Sequence, residues 1–337
     1  MNILITGGAG FIGSNFIIYW LKKYARDNII NLDALTYAGN LANLNSVANL
    51  PNYRFIKGNI CNSRLVSNII RDIDIIVHFA AESHVDRSIT DPGIFLETNI
   101  YGTHLLLKAA LKNKIKRFHH ISTDEVFGSL LLKDKNKFNE KTPYHPRSPY
   151  AASKAAADHL VLSFCHTYGL PVTITNCSNN YGPFQHPEKL IPLTITNIIE
   201  NIKVPLYGDG KNIRDWLYVE DHCRAIELVL KEGRVGETYC VGGLLKDVSN
   251  LAVIKMIFRL LQGNENLLTF VPDRPGHDRK YAIDWSKIKR ELGWQPRYSL
   301  EACLVKTVNW YKNNRSWWQS LKNRQFQAYF KKQYPDL

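Results

Sequence analysis

A chain of 337 residues can bury one large core or two, and its 45% hydrophobic and 22% charged residues are the balance of an ordinary folded domain. No apolar run is long enough to span a bilayer, and the Lys and Arg behind a formal net charge of +13 are dispersed without a nucleic-acid motif. That excludes membrane and nucleic-acid partners as expectations and leaves an anionic small substrate open.

The opening MNILITGGAG is a strand and a Gly-rich turn with no basic leader, so a cytoplasmic protein is expected. The six cysteines form no C-x-x-C pair and the eleven histidines show no ligand spacing. Buried thiols are expected, and no metal. In chain order, Asn2–Thr6 reads as a strand, followed by a glycine turn and an apolar-periodic helix from about Phe11 to Tyr24. Strands follow at Ile29–Asp33, Tyr53–Ile60 and Ile73–Ala81, the last a continuous apolar run of the kind covered on both faces. A helix from about Pro92 to Lys112 precedes the strand FHHIST, which runs directly into Asp124 and Glu125. Next come a polar loop, a helix over Tyr150–Tyr168 and the strand PVTITNCSNNYG.

This strand–helix alternation predicts an α/β fold: a doubly wound parallel sheet of the Rossmann kind. Beyond Tyr181 prolines break the rhythm, which predicts a smaller mixed α/β lobe. The expected division is 1–182 for the dinucleotide-binding part and 183–337 for the substrate lobe, with some chain crossing between them. The C-terminal stretch reads as helical, with Trp317 and Trp318 as packing anchors.

Gly7, Gly10 and Gly13 give G-x-x-G-x-x-G between the first strand and its helix. Such a turn lets backbone approach a pyrophosphate and aims helix N–H groups at it. Asp33 closes the second strand where a carboxylate can accept from ribose hydroxyls and repel a 2′-phosphate, which favours NAD over NADP. Tyr150 and Lys154 form Y-x-x-x-K and share a helix face. A phenol with an ordinary pKa of about 10 is a poor base near neutrality, and an ammonium one turn away favours the phenolate. With Thr123 at the end of the preceding strand, the set predicts hydride transfer: Tyr150 takes a hydroxyl proton as NAD accepts hydride from the same carbon.

These motifs resemble those of the extended short-chain dehydrogenases that act on nucleotide sugars. Within that group the chain is similar to the dTDP-glucose 4,6-dehydratase family over Asn2 to about Trp310. The resemblance rests on LITGGAGFIGSNF, FAAESHVDRSI, HISTDEVFGSL, SPYAASKAAADHL, NCSNNYGPFQHPEKLIP, YGDGKNIRDWLYVEDH and DRPGHDRKYAID. It implies that Glu125 is the base for C5 of the hexose and Asp124 the acid for the departing C6 hydroxyl. Oxidation at C4 acidifies the C5 proton, water leaves across C5–C6, and hydride returns to C6. Adjacent strand residues point to opposite faces, so both acids can meet one substrate only if the chain bends at Asp124.

The resemblance further implies that Phe11, Ile12, Asp33, Thr36, Asn59, Ile60, Ala80, Ala81, Thr98, Tyr150, Lys154 and Asn180 hold NAD with the glycines. Ser83, Thr123, Asn179, Lys189, Leu190, Pro205, Tyr207, Arg214, Asn250, Asp273, Arg274 and His277 would line the nucleotide-sugar site. Asn59 stands where the family usually carries aspartate, and its amide carbonyl is expected to serve the adenine amino group instead. A homodimer is implied, through a bundle of the Phe95–Lys112 and Tyr150–Tyr168 helices. His119 and His120 read as strand packing. The alternatives are a UDP-glucose dehydratase, a nucleotide-sugar C4 epimerase, which would not need the Asp124–Glu125 pair, and an NAD-binding protein without catalysis.

Overall fold

The computed structural model describes residues 1–335 and 337. Its centre is a seven-stranded sheet: β1 (Asn2–Thr6), β2 (Asn28–Asp33), β3 (Tyr53–Lys57), β4 (Ile75–His78), β5 (Arg117–Thr123), β6 (Val172–Cys177) and a late strand, Thr238–Val241. All neighbours pair in parallel, in the order late strand, β6, β5, β4, β1, β2, β3. β4 and β6 are buried at every residue, as a strand covered on both faces must be. The chain leaves β1 toward β2 and β3 and then returns to β4. This reversal opens a crevice at the carboxyl ends of β1 and β4.

One face is covered by α1 (Phe11–Lys23), whose Phe16, Ile17 and Trp20 are wholly buried, and by the Val219–Glu232 helix beside it. The other face carries the Thr103–Lys112 and Pro149–Tyr168 helices, which bury Leu106, Leu107, Ala110 and Val161 over β4, β5 and β6. The doubly wound α/β fold predicted from the sequence is therefore the fold observed. A second core joins the Leu190–Ile199, Asn250–Leu261 and Leu300–Asn313 helices to a strand pair, Val204–Tyr207 with Leu268–Val271. Although the late strand and the Val219–Glu232 helix fall after residue 182, they complete the first sheet and its cover.

Several elements depart from expectation for local reasons. β3 ends at Lys57 because Asn59 turns the chain, its Oδ1 accepting from Cys61 N at 2.8 Å. The helix expected over Pro92–Lys112 contains a π-helical segment, Leu96–Gly102, between two α-helical ones. Within it Asn99 is buried and pairs with the Glu82 backbone in both directions, at 2.9 and 3.0 Å. The strand expected through Gly182 divides at Ser178. Asn179–Tyr181 leaves the main sheet and pairs with Trp216–Tyr218. At the C-terminus Trp318 is wholly buried, and Trp317 Nε1 donates to Asn43 Oδ1 at 2.8 Å, which ties the chain end to the first half.

Candidate active site

The crevice is a cleft of about 320 Å³ above β1, β2, β4 and β5. At its floor Gly7 takes φ +72, and a Cβ there would lie 2.6 Å from Ala80 N. Only glycine permits both the left-handed backbone and this approach. The first turn of α1 has no side-chain cap and no acidic residue, so the N–H groups of Phe11, Ile12 and Gly13 remain available to an anion. Asp33 stands at the end of β2, nearly buried, with Oδ2 accepting from Ala9 N at 2.9 Å and Oδ1 from Leu35 N at 2.8 Å. Burial raises its pKa, and those two N–H groups oppose the rise. The cleft wall continues through Thr36, Asn59, Ile60, Ala80, Ala81, Ser83 and Thr98 to Asn179, Asn180 and Lys189. Asn59 is exposed, and its carbonyl is already engaged by Cys61 N, so it is less free for adenine than the sequence suggested.

Thr123, Glu125, Tyr150 and Lys154 form the inner end of this cleft. The expected bend is present: β5 stops at Thr123, and a 3₁₀ turn, Asp124–Phe127, begins at once. Thr123 caps that turn, its Oγ1 accepting from Glu125 N at 3.2 Å. Opposite, Ser148 caps the Pro149–Tyr168 helix by accepting from Ala151 N, and Pro149 occupies the first turn. Tyr150 and Lys154 then face β5 from one side of the helix. Lys154 Nζ donates to Ile121 O at 2.8 Å and lies 3.1 Å from His120 Nε2. His120 is thus a neighbour of the lysine ammonium, which corrects its reading as strand packing. His119 does fit that reading, held between Thr173 and Thr175 in the sheet.

The two acids differ in setting. Asp124 is wholly buried and its Oδ2 finds no hydrogen-bond partner among the described residues. Burial pushes its pKa well above the carboxylate range, and the charges of Glu125 and Asp215 add to that, against Arg214. Burial also raises Glu125, but Arg274, Arg214 and Lys189 all pull it back. Both carboxyls are therefore raised by burial, Asp124 well above its ordinary value and Glu125 less so because three cations oppose the rise. Burial and the Glu125 charge hold the Tyr150 phenol up, while the Thr123 hydroxyl lowers it. Lys154 is drawn down to about 8 by burial, with Asp158 opposing.

A second group of predicted residues lies outside the cleft lining. Arg274 Nη1 pairs with Asp86 Oδ1 at 2.5 Å, and Tyr207 Oη donates to Asp86 Oδ2 at 3.1 Å. His277 bonds Asp273 at 2.5 Å, and its ring meets Tyr207 edge-on. Arg214 is anchored to Asp278 O at 3.0 Å and stacks on Tyr281. Pro205 lies in the strand ending at Tyr207, and Leu190 and Asn250 open two helices of the second core. The influence of Arg214, Arg274 and Lys189 on Glu125 couples this group to the cleft.

Other lining residues were not singled out from the sequence. Glu188 is buried and held by Arg87 at 3.2 Å, with His84 and His186 at 3.9 and 3.8 Å. Arg87 is itself sandwiched between the rings of Tyr37 at 3.9 Å and Tyr329 at 4.5 Å. Arg87 and Glu188 fall in two of the motif stretches, FAAESHVDRSI and HPEKLIP, but only the fold brings them together.

A glycine turn feeding a parallel sheet, with Tyr-x-x-x-Lys facing a strand-end threonine, defines the short-chain dehydrogenase class. Residues 4–307 match the family described as GDP-mannose 4,6 dehydratase. The chain is 49% identical over 327 residues to the dTDP-glucose 4,6-dehydratase of Streptomyces niveus, covering 96% of each chain. It is also similar to the crystal structure of that enzyme from Streptomyces venezuelae with NAD bound: TM-score 0.92, 49% identity, 96% of this chain and 100% of that one. The Bacillus anthracis enzyme in complex with NAD gives a TM-score of 0.89 and 50% identity, with the same coverage. The chain belongs to the dTDP-glucose 4,6-dehydratase family within the nucleotide-sugar dehydratases.

Proposed function

We propose that this protein dehydrates dTDP-glucose to the 4-keto-6-deoxy sugar nucleotide, as a hydro-lyase that holds NAD through turnover. The observation that carries the reading is the Asp124–Glu125 pair at the bent end of β5, beside Tyr150 and Lys154. A dehydrogenase or a C4 epimerase needs only the threonine, tyrosine and lysine. The residues fit NAD on the structure's own terms: Gly7 admits backbone where a Cβ would clash, the start of α1 is uncapped, and Asp33 is a buried acceptor at the end of β2. NAD, when bound, supplies the two-electron redox chemistry at C4 and later at C6.

This chain's residues do the remainder. Thr123 holds the C4 hydroxyl against Tyr150, which takes its proton with Lys154 lending positive charge to the phenolate. Glu125, raised by burial with three cations opposing, removes the C5 proton, and Asp124, kept protonated by burial, gives its proton to the departing C6 oxygen. Glu125 then returns a proton to C5. Lys189, Arg214 and Arg274 supply positive charge for the diphosphate, the arginines through a planar fork. In the balance of protons Tyr150 ends with one more and Asp124 with one fewer, so each turnover must be followed by proton return.

The enzyme works in the cytoplasm as a homodimer. No helix among the described residues is long and apolar enough to cross a membrane. Leu96, Tyr101 and Tyr168 are exposed on the two helices expected to form the bundle, with Tyr101 at 52% and Tyr168 at 57%. The test of function is incubation with dTDP-glucose and, separately, UDP-glucose, without added NAD, followed by product mass. Loss of water from dTDP-glucose at the faster rate is expected. Turnover of neither sugar would overturn the proposal, and a preference for UDP-glucose would transfer it to that substrate.

A further inference from the structure

Lys154 carries three N–H donors on a side chain that is almost wholly buried. One donor is taken by Ile121 O at 2.8 Å, and a second faces His120 Nε2 at 3.1 Å. That leaves one for the cleft, where Tyr150 stands one helical turn away. A buried ammonium without a counter-charge would be costly. Its counter-charge is Asp158, one turn further along the same helix face and itself wholly buried. Asp158 Oδ1 lies 3.3 Å from His120 Nε2 but has no hydrogen-bond partner among the described residues. Its Oδ2 is crowded with donors: Ser122 Oγ at 2.7 Å, Tyr144 Oη at 2.9 Å and Asn176 Nδ2 at 3.2 Å. His120 Nε2 therefore sits between a cation and an anion, and accepts a hydrogen bond from the cation.

We propose that Asp158 and His120 are positioning residues for Lys154: the carboxylate balances its buried charge, and the imidazole fixes one N–H so that the remaining one is aimed at Tyr150. This rests on the dehydratase reading of the site. The other ionisable groups around the pair are His78 on β4, its ring 5.1 Å from that of His120, Cys177 on β6, and Tyr144 and Tyr150. His119 is turned away to Thr173 and Thr175. Cys177 is pushed up to about 12 and His78 well below its ordinary range, both chiefly by burial, so neither carries charge near neutral pH. Asp158 is the carboxylate that raises the Lys154 pKa, which stands at about 8. Removing it lowers that pKa. Because the ammonium is the form that supports the phenolate, the alkaline limb of the oxidation step must then move to lower pH.

Two readouts test this. The ε-carbon resonance of Lys154, assigned by its loss in Lys154→Met, is titrated in the NAD-loaded protein and in its Asp158→Asn variant. The midpoint is expected to fall by about one pH unit or more in the variant. The second readout is NADH formation on adding dTDP-glucose in a Glu125→Gln background, compared between His120→Gln and His120→Leu. Glutamine keeps an acceptor for Nζ and is expected to stay within about threefold of the parent, whereas leucine falls about tenfold or more. An unmoved Lys154 midpoint overturns the role of Asp158, and equal rates for the two His120 variants overturn that of His120. If Asp158→Asn does not fold, the His120 pair still decides. If the Glu125→Gln parent forms no NADH with dTDP-glucose, the dehydratase reading falls, while the midpoint still decides whether Asp158 governs Lys154.

Discussion

Asp124 and Glu125 are adjacent in sequence and opposite in task, and the difference lies in what surrounds each. Burial raises both, but Asp124 has two carboxylates adding to the rise and one arginine opposing it, whereas Glu125 has three cations opposing it. Glu125→Gln removes the base and leaves the first oxidation intact. It is therefore expected to reduce bound NAD on addition of dTDP-glucose yet form product about 10²- to 10⁴-fold more slowly, as NADH absorbance and product mass would show. Wild-type product rates from that variant would mean that another group takes the C5 proton. Asp124→Asn keeps the shape and loses the proton to donate, so it too should accumulate NADH. Tyr150→Phe should abolish the NADH signal itself. Two acids where a strand leaves the core are legible in sequence, because carboxylates are seldom buried without a task. The Arg87–Glu188 pair was not, since its partners stand 101 residues apart and only the tertiary fold joins them.

At the scale of elements, the strands and helices that position the site follow from continuous apolar runs, a glycine turn and a Ser-Pro helix start. Their ends were less legible. β3 stops three residues early through the Asn59 turn, and the Asn179–Tyr181 segment changes sheets. The π segment at Leu96–Gly102 was invisible in sequence because seven residues are too few for a changed helical period to register. Gly7 carries the sharpest test at this scale. Gly7→Ala places a Cβ against Ala80 N in a left-handed backbone, so it should destabilise the fold by about 1–3 kcal/mol and lower NAD content. Urea unfolding and the NAD-to-protein ratio of the purified variant measure both. Stability and NAD content equal to wild type would show that the turn can move away from β4.

The whole molecule joins two cores through chain that crosses between them, and both contribute to the site. The first half brings Thr123, Glu125, Tyr150 and Lys154 to the cleft, with Asp124 wholly buried next to Glu125, and the later chain brings Lys189 to its lining and the charges of Arg214 and Arg274 to bear on Glu125. The Trp317–Asn43 bond fastens the C-terminal segment across the same join. If the exposed apolar residues at 96–101 form the dimer, Leu96→Asp with Tyr101→Asp should halve the mass in analytical ultracentrifugation; an unchanged mass would place the interface elsewhere. The central claim is the intramolecular route of the hydride, from C4 out and back to C6. It is tested most directly with dTDP-glucose carrying deuterium at C4, in ordinary water and without added NAD. The expected product is lighter by one water and carries the deuterium in its C6 methyl group. A product that has lost no water, or has lost the deuterium to solvent, would contradict the account.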